Sequence, residues 1–233
     1  MGVLSAFLIA SMCLCDVFVF KTVSFFGFSL ALSGVIFPIT SLIMICINEI
    51  YGHKKAALSL ISLVSAQLFF LVGLVFLPKI PSPPDFSPDI VSAYNLVFKE
   101  EWRVFLSSPV GISVTLYLSS VINSKLKIYF WGKYLIARTV FTSAVTTAVL
   151  VSIIYPINFL GILNADKIFN IIIDTYVYKM IMAFLIVYLS YPLVFFLRKA
   201  EKKYVFDINA SYSPFHVYTP KSRGINLYDK FFK

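Results

Sequence analysis

Apolar residues gather into six long runs, at about 3–20, 25–48, 56–77, 104–122, 134–157 and 168–197, with polar residues collected in the short stretches between them. About 20 helical residues at 1.5 Å each cover roughly 30 Å, the depth of a bilayer's hydrocarbon core. The pattern therefore predicts an all-α integral membrane protein: six transmembrane helices in one bundle, 1–200, followed by a basic tail, 201–233. Pro38 removes a backbone donor inside the second run and predicts a kink near Ile36. After that run, Glu49, Tyr51, Gly52, His53, Lys54 and Lys55 read as a sharp turn at headgroup level. The longest connection, 78–103, opens with Pro78, Pro81, Pro83, Pro84 and Pro88 and then reads SAYNLVFKEEWRVF. This predicts an extended piece and a short surface helix over 93–105, with Trp102 as its interfacial anchor.

Composition agrees with a membrane chain. Of 233 residues, 59% are hydrophobic and 13% charged, a balance that excludes an ordinary soluble domain. The net charge of +9 does not point to nucleic acid, because the cations flank apolar runs and no zinc-finger or helix-turn-helix pattern accompanies them. Fourteen of the twenty Lys and Arg residues follow the second and fourth runs or lie in the tail, so both termini are expected in the cytoplasm of a multi-pass protein of a bacterial inner membrane. The first run has no Lys or Arg before it and no small-x-small cleavage pattern after it, so it is expected to stay as a helix. Cys13, Cys15 and Cys46 all fall inside apolar runs and read as packing residues rather than disulfide partners or zinc ligands. No Walker loop, HExxH or nucleophile elbow is present, and His53 and His216 fall in a turn and a tail, so neither an enzyme nor a cofactor is expected.

Charges inside the runs carry the chemistry, since each costs about 2.5 to 3.5 kcal/mol at mid-helix and is kept for a partner or a ligand. Alternating helix directions put Asp16, Lys21, Asp174 and Lys179 at one end of the bundle and Glu49 and Arg138 at the other. The neutral sums suggest ion pairs between Asp16 and Lys179 and between Glu49 and Arg138. The alternative use is a polar cavity for a small planar solute, with Phe37, Tyr176, Tyr178 or Tyr188 as its aromatic face. Thr139, Thr142, Ser143, Thr146 and Thr147 form a hydroxyl-rich stretch in the fifth run whose default use is packing.

The stretch GVIFPITSLIMICINEIYGHKKA, 34–56, resembles the signature of the VUT family of queuosine-precursor transporters: an FPxT/S run, then T-E-V-Y-G and a basic turn. EKKYVFDINASYSPF, 201–215, is similar to that family's closing pattern. Asp16 with Lys21 resembles its first-helix Asn-(x)4-Lys, and 125–138 its Leu-Lys, Gly-Lys and Arg series. The chain has Ile45 and Leu150 where that family commonly has acids, and Asn48 where it has Thr. The resemblance implies import of a 7-deazapurine, meaning 7-cyano- or 7-aminomethyl-7-deazaguanine or queuine, by a bundle similar to vitamin-binding S components. The implied substrate-binding residues are Asp16, Lys21, Phe37, Thr40, Asn48, Glu49, Arg138, Thr142, Ser143 and Lys179. The alternative is a substrate-binding or assembly subunit that serves another small solute with a separate energising partner; the sequence names neither an ATPase nor an oligomer.

Overall fold

A computed structural model describes residues 1–25, 27–83, 85, 87–208, 212 and 224–232. Helices dominate: α1 (Gly2–Val17), α2 (Leu32–Phe76), α3 (Pro88–Phe98), α4 (Glu101–Tyr129), α5 (Leu135–Phe159), α6 (Ala165–Glu201) and the short α7 (Tyr228–Phe232). Four helical segments, Leu32–Lys79, Pro88–Tyr129, Leu135–Phe159 and Ala165–Glu201, are long and apolar enough to cross a membrane, while α1 is apolar but shorter. The protein is an all-α membrane protein.

α2 is a hairpin. Gly52, at φ 80 and ψ 175, interrupts its helical dihedrals, and contacts with α1 show the consequence. Going up α1, Ser5 bonds Ser59 and Asp16 bonds Gln67, so the second limb runs parallel to α1. Ser11 bonds Thr40 and Cys15 bonds the Ser33 carbonyl, so the first limb runs antiparallel to it. The chain thus reverses at one glycine, with helix on both sides. The kink expected near Ile36 has no counterpart in the dihedrals: Pro38 is accommodated inside the first limb, and Gly52 is where the helix breaks.

Sequence runs and helices differ at several ends. Thr22–Phe25 (β1) and Phe28–Ala31 (β2) form an antiparallel hairpin, with Thr22 opposite Ala31, so the first residues of the run over 25–48, predicted as helix, are strand and turn instead. Thr, Val and Phe favour the pleated form, and Gly27 turns the chain at φ 84. α4 begins at Glu101 and continues to Tyr129, so the surface helix is α3 over Pro88–Phe98, and Trp102 belongs to α4. No residue of α3 is buried.

The core draws on every long helix, through Leu8 and Met12 of α1, Ile43, Ile47 and Leu60 of α2, Ile112 and Leu116 of α4, Leu150 of α5 and Val194 of α6. The outside is equally apolar. Phe69 is 84% and Phe196 68% exposed, an exposure suited to lipid tails and costly in water. Beyond α6, the tail returns to the bundle: Val205–Phe206 (β3) pairs antiparallel with Ile225–Asn226 (β4), and Phe206 stacks on Phe231 with ring planes 7° apart. His216 and all of 209–215 except Tyr212 lie outside the described residues.

Candidate functional site

The polar groups of the bundle form two charged ends with a hydroxyl-lined crevice between them. One end is built on Glu49, 0% exposed, whose Oε1 accepts from Arg138 Nη2 at 2.7 Å and from Arg198 Nη2. Lys127 Nζ stands 3.8 Å from the same oxygen and donates to the carbonyls of Glu49 (2.6 Å) and Val205 (2.7 Å). Arg138 also donates to Asn123 Oδ1 at 3.3 Å. Three cations therefore surround one carboxylate, and the expected Glu49–Arg138 pair is formed as part of a larger group.

The tail completes this end. The Tyr204 ring lies under Arg198 at 3.9 Å and Lys127 at 4.3 Å, spreading the excess positive charge over an aromatic face. Asp207 Oδ2 accepts the His53 backbone N–H at 2.9 Å, and His53 Nδ1 meets Ser120 Oγ at 2.8 Å. His53 is buried there, not solvated in a headgroup-level turn, because the tail covers the Gly52 reversal. Burial, and then the charge of Glu49, pushes the Tyr204 phenol up to about 12.

The opposite end is organised on Asp16, whose two oxygens accept from Gln67 Nε2 and Ser108 Oγ, both at 2.7 Å. The expected ion pair with Lys179 is not formed. Gln67 and Ser108 satisfy the carboxylate from the second limb of α2 and from α4, and Lys179 Nζ instead stands 4.0 Å from the centre of the Phe37 ring. Asp16 and Lys179 line the same crevice without an ion pair between them.

Between the two ends, α2, α4 and α5 border a narrow crevice of about 40 Å³, walled by Asn48, Thr115, Ser119, Thr139, Thr142 and Ser143 among others. Phe37 lines this crevice, the one beside Asp16, and a third under α6, so one ring is common to all three. Asn48 Oδ1 accepts from Ser120 and Ser124, which aims its amide along the wall. Thr142 and Thr146 return their hydroxyls to the carbonyls of Arg138 and Thr142, the packing use expected of them, while still lining the crevice. Ile45 and Leu150 line it too, making apolar the two positions at which the resembled family commonly carries acids.

Two of the expected site residues stand elsewhere. Lys21 is exposed before β1, where its carbonyl accepts the Leu32 N–H, because the hairpin carries it out of the bundle. Thr40 is spent on α1 through Ser11 and faces none of these crevices. Of the four aromatic candidates, Phe37 lines the crevices; Tyr188 is 63% exposed on the outside, and neither Tyr176 nor Tyr178 is in their walls. Asp174 anchors the hairpin by accepting the Ser29 N–H at 3.1 Å.

Reading the sequence by apolar runs missed Lys127, Arg198 and Asp207. A signal for Lys127 was present: Ser120, Asn123, Ser124 and Lys127 recur at i, i+3, i+4 and i+7, one helical stripe, and all four are buried. Asp207 lies in the 201–215 stretch that resembles the family's closing pattern, whereas Arg198 had no signal, since it reaches Glu49 from the far end of α6.

A family model described as "Putative vitamin uptake transporter" matches residues 31–193. The chain belongs to that family. It is a membrane transporter for a small solute and not an enzyme. The matched span contains Phe37, Glu49, Arg138 and Lys179, while Asp16 and the tail that closes over Glu49 lie beyond it. No curated protein and no solved structure matches the chain.

Proposed function

We propose that this transporter imports a queuosine precursor, a 7-deazaguanine base such as the 7-cyano or 7-aminomethyl compound or queuine, across a bacterial inner membrane. Both termini face the cytoplasm in this reading, with the Glu49 end inward. The observation that carries it is the Phe37 ring common to three crevices, with a wall of hydroxyls and the Asn48 amide in one and the Lys179 ammonium in the two that adjoin it. A bicyclic base offers a flat face for stacking, N–H donors along one edge and a carbonyl acceptor. Phe37 supplies the stacking surface, the Thr142 and Ser143 hydroxyls supply acceptors, and Lys179 donates to the carbonyl or nitrile.

Glu49 and Arg138, by contrast, are paired with one another and linked to the tail through Lys127, so their part in this reading is to hold the inner end shut around the crevice. Apolar Ile45 and Leu150 favour a neutral base over a cationic one, because a buried cation there meets no acid.

The test is queuosine in the tRNA of a precursor-auxotrophic bacterium that lacks its own transporter, fed nanomolar concentrations of each base in turn, with and without this chain. Restoration by one compound identifies the substrate. Failure with every base, the protein being verified in the membrane, sinks the reading and favours another small solute or a subunit that needs a separate energising partner.

A further inference from the structure

A chain of contacts joins the crevice wall to the tail. Asn48, 4% exposed, turns its Oδ1 to the hydroxyls of Ser120 at 3.0 Å and Ser124 at 3.3 Å on α4, and its Nδ2 to the Ser120 carbonyl at 3.5 Å. Turning the amide over would set Oδ1 against that carbonyl, oxygen to oxygen, so its neighbours fix its orientation. Ser120 Oγ also meets His53 Nδ1 at 2.8 Å. A hydroxyl has one proton, and Ser120 gives it to Asn48. Nδ1 of His53 therefore carries the proton at this contact, and Ser120 accepts it.

His53 is itself held from the tail side. Asp207 Oδ2 accepts its backbone N–H at 2.9 Å, and its ring lies against those of Tyr117 and Tyr212, with centroids 5.4 and 5.1 Å away. The Tyr117 hydroxyl donates to the Tyr212 carbonyl and ties the two together.

What Asn48 shows to the crevice follows from these bonds. Both lone pairs of its Oδ1 are taken, whereas Nδ2 has two hydrogens and the Ser120 carbonyl uses one of them. The side chain that walls the crevice with Phe37, Thr142 and Ser143 thus offers an N–H and no acceptor. Thr142, whose proton goes to the Arg138 carbonyl at 2.7 Å, offers the opposite polarity.

We infer that Asn48 selects for a carbonyl on the solute, and that His53 is a positioning residue that keeps Asn48 turned that way through Ser120. This rests on the 7-deazaguanine reading. There, the Asn48 N–H meets the ring carbonyl, Thr142 accepts from an N–H of the base, and Lys179 is left for the nitrile. A base with an amino group in place of the carbonyl would set N–H against N–H. His53 acts at one remove: its Nδ1 proton occupies the side of Ser120 Oγ that faces it, so the Ser120 proton points to Asn48.

Competition binding to the purified full-length chain, between 7-cyano-7-deazaguanine and its analogue with an amino group in place of the carbonyl, reads the selection. The wild type is expected to favour the carbonyl compound by about ten- to a hundredfold, since the analogue leaves a buried donor facing a donor. Asn48→Leu is expected to bring the ratio near one, as is Asn48→Thr, whose hydroxyl turns to give or accept. His53→Leu frees the Ser120 hydroxyl and is expected to lower the ratio, while His53→Asn, with a side-chain amide that again donates to Ser120, restores it. Both compounds compete on one sample, so a smaller folded fraction lowers the signal but not the ratio. A wild type that binds both alike, or an Asn48→Leu chain that keeps the wild-type ratio, overturns the selection while the base reading stands. A ratio unmoved by His53→Leu overturns the part given to His53. Binding of neither compound to the wild type overturns the base reading, and the selection with it.

Discussion

Glu49 and Lys179 are both buried in the bundle, yet their removal is expected to cost very different amounts of stability. Glu49→Ala leaves Lys127, Arg138 and Arg198 crowded together without their carboxylate, which is expected to destabilise the protein by about 3–5 kcal/mol. Lys179→Ala loses a single contact over the Phe37 ring, worth about 0.5–2 kcal/mol. Thermal unfolding in detergent is expected to drop sharply for the first and little for the second, while uptake is lost in both; an unaltered uptake rate in Lys179→Ala removes that residue from the solute's path. Tyr204 offers a titration. Its phenol, ordinarily near 10, is pushed up to about 12 by burial and then by Glu49. Below pH 10 the folded and unfolded chains both keep the proton. Between about 10 and 12 the unfolded chain alone ionises, so stability falls as pH rises through that window. Subtracting the alkaline ultraviolet titration of Tyr204→Phe from that of the wild type is expected to leave one tyrosine titrating near the upper limit.

At the scale of the elements, the reversal within α2 depends on Gly52. A Cβ there would stand 2.8 Å from Asp207 Oδ1 and 2.9 Å from a Val205 methyl, on a backbone at φ 80 that a side chain resists. Gly52→Ala is expected to cost about 1–3 kcal/mol and to loosen the tail, read as faster proteolysis near Lys202 and Lys203; unchanged cleavage would show that the tail docks without this contact. The two limbs of α2, α4, α5 and α6 were legible because lipid-facing residues outnumber polar ones along each. The β1–β2 hairpin was not, since Thr22–Ala31 is as apolar as the helix it precedes, and the start of α4 was hidden because KEEWR reads as a connector until Glu101 is seen to be buried. The crevice walls were half legible. Thr139, Thr142, Ser143, Thr146 and Thr147 stood out as a hydroxyl run, whereas the facing stripe on α4 was masked by the basic residues at its end. Leu150 marks where the wall turns apolar. Leu150→Asp is expected to shift preference from a neutral base toward one bearing an aminomethyl cation, measured as competition between the two bases for uptake, and an unchanged preference would place the solute away from α5.

For the whole molecule, charge and geometry agree on which end is basic. Glu49, Lys127, Arg138, Arg198 and the tail share one end, and Asp16, Glu101 and Asp174 the other. A C-terminal fusion to a cytoplasm-dependent fluorescent protein is expected to be bright, and one to a periplasm-dependent phosphatase inactive; the reverse pattern would invert the proposed orientation. The return of the tail to Glu49 also has a bearing on biosynthesis. Chains are made from the N-terminus, so the helices that supply Glu49, Lys127 and Arg138 leave the ribosome well before Tyr204, Phe206 and Asp207 do. Until those last residues emerge, the cationic cluster stands open at its end, neither capped by an aromatic ring nor tied to His53. The contacts of Tyr204, Phe206 and Asp207 therefore close after those among the helices, and a chain ending at Lys203 is expected to insert in the membrane yet leave the cationic cluster uncapped.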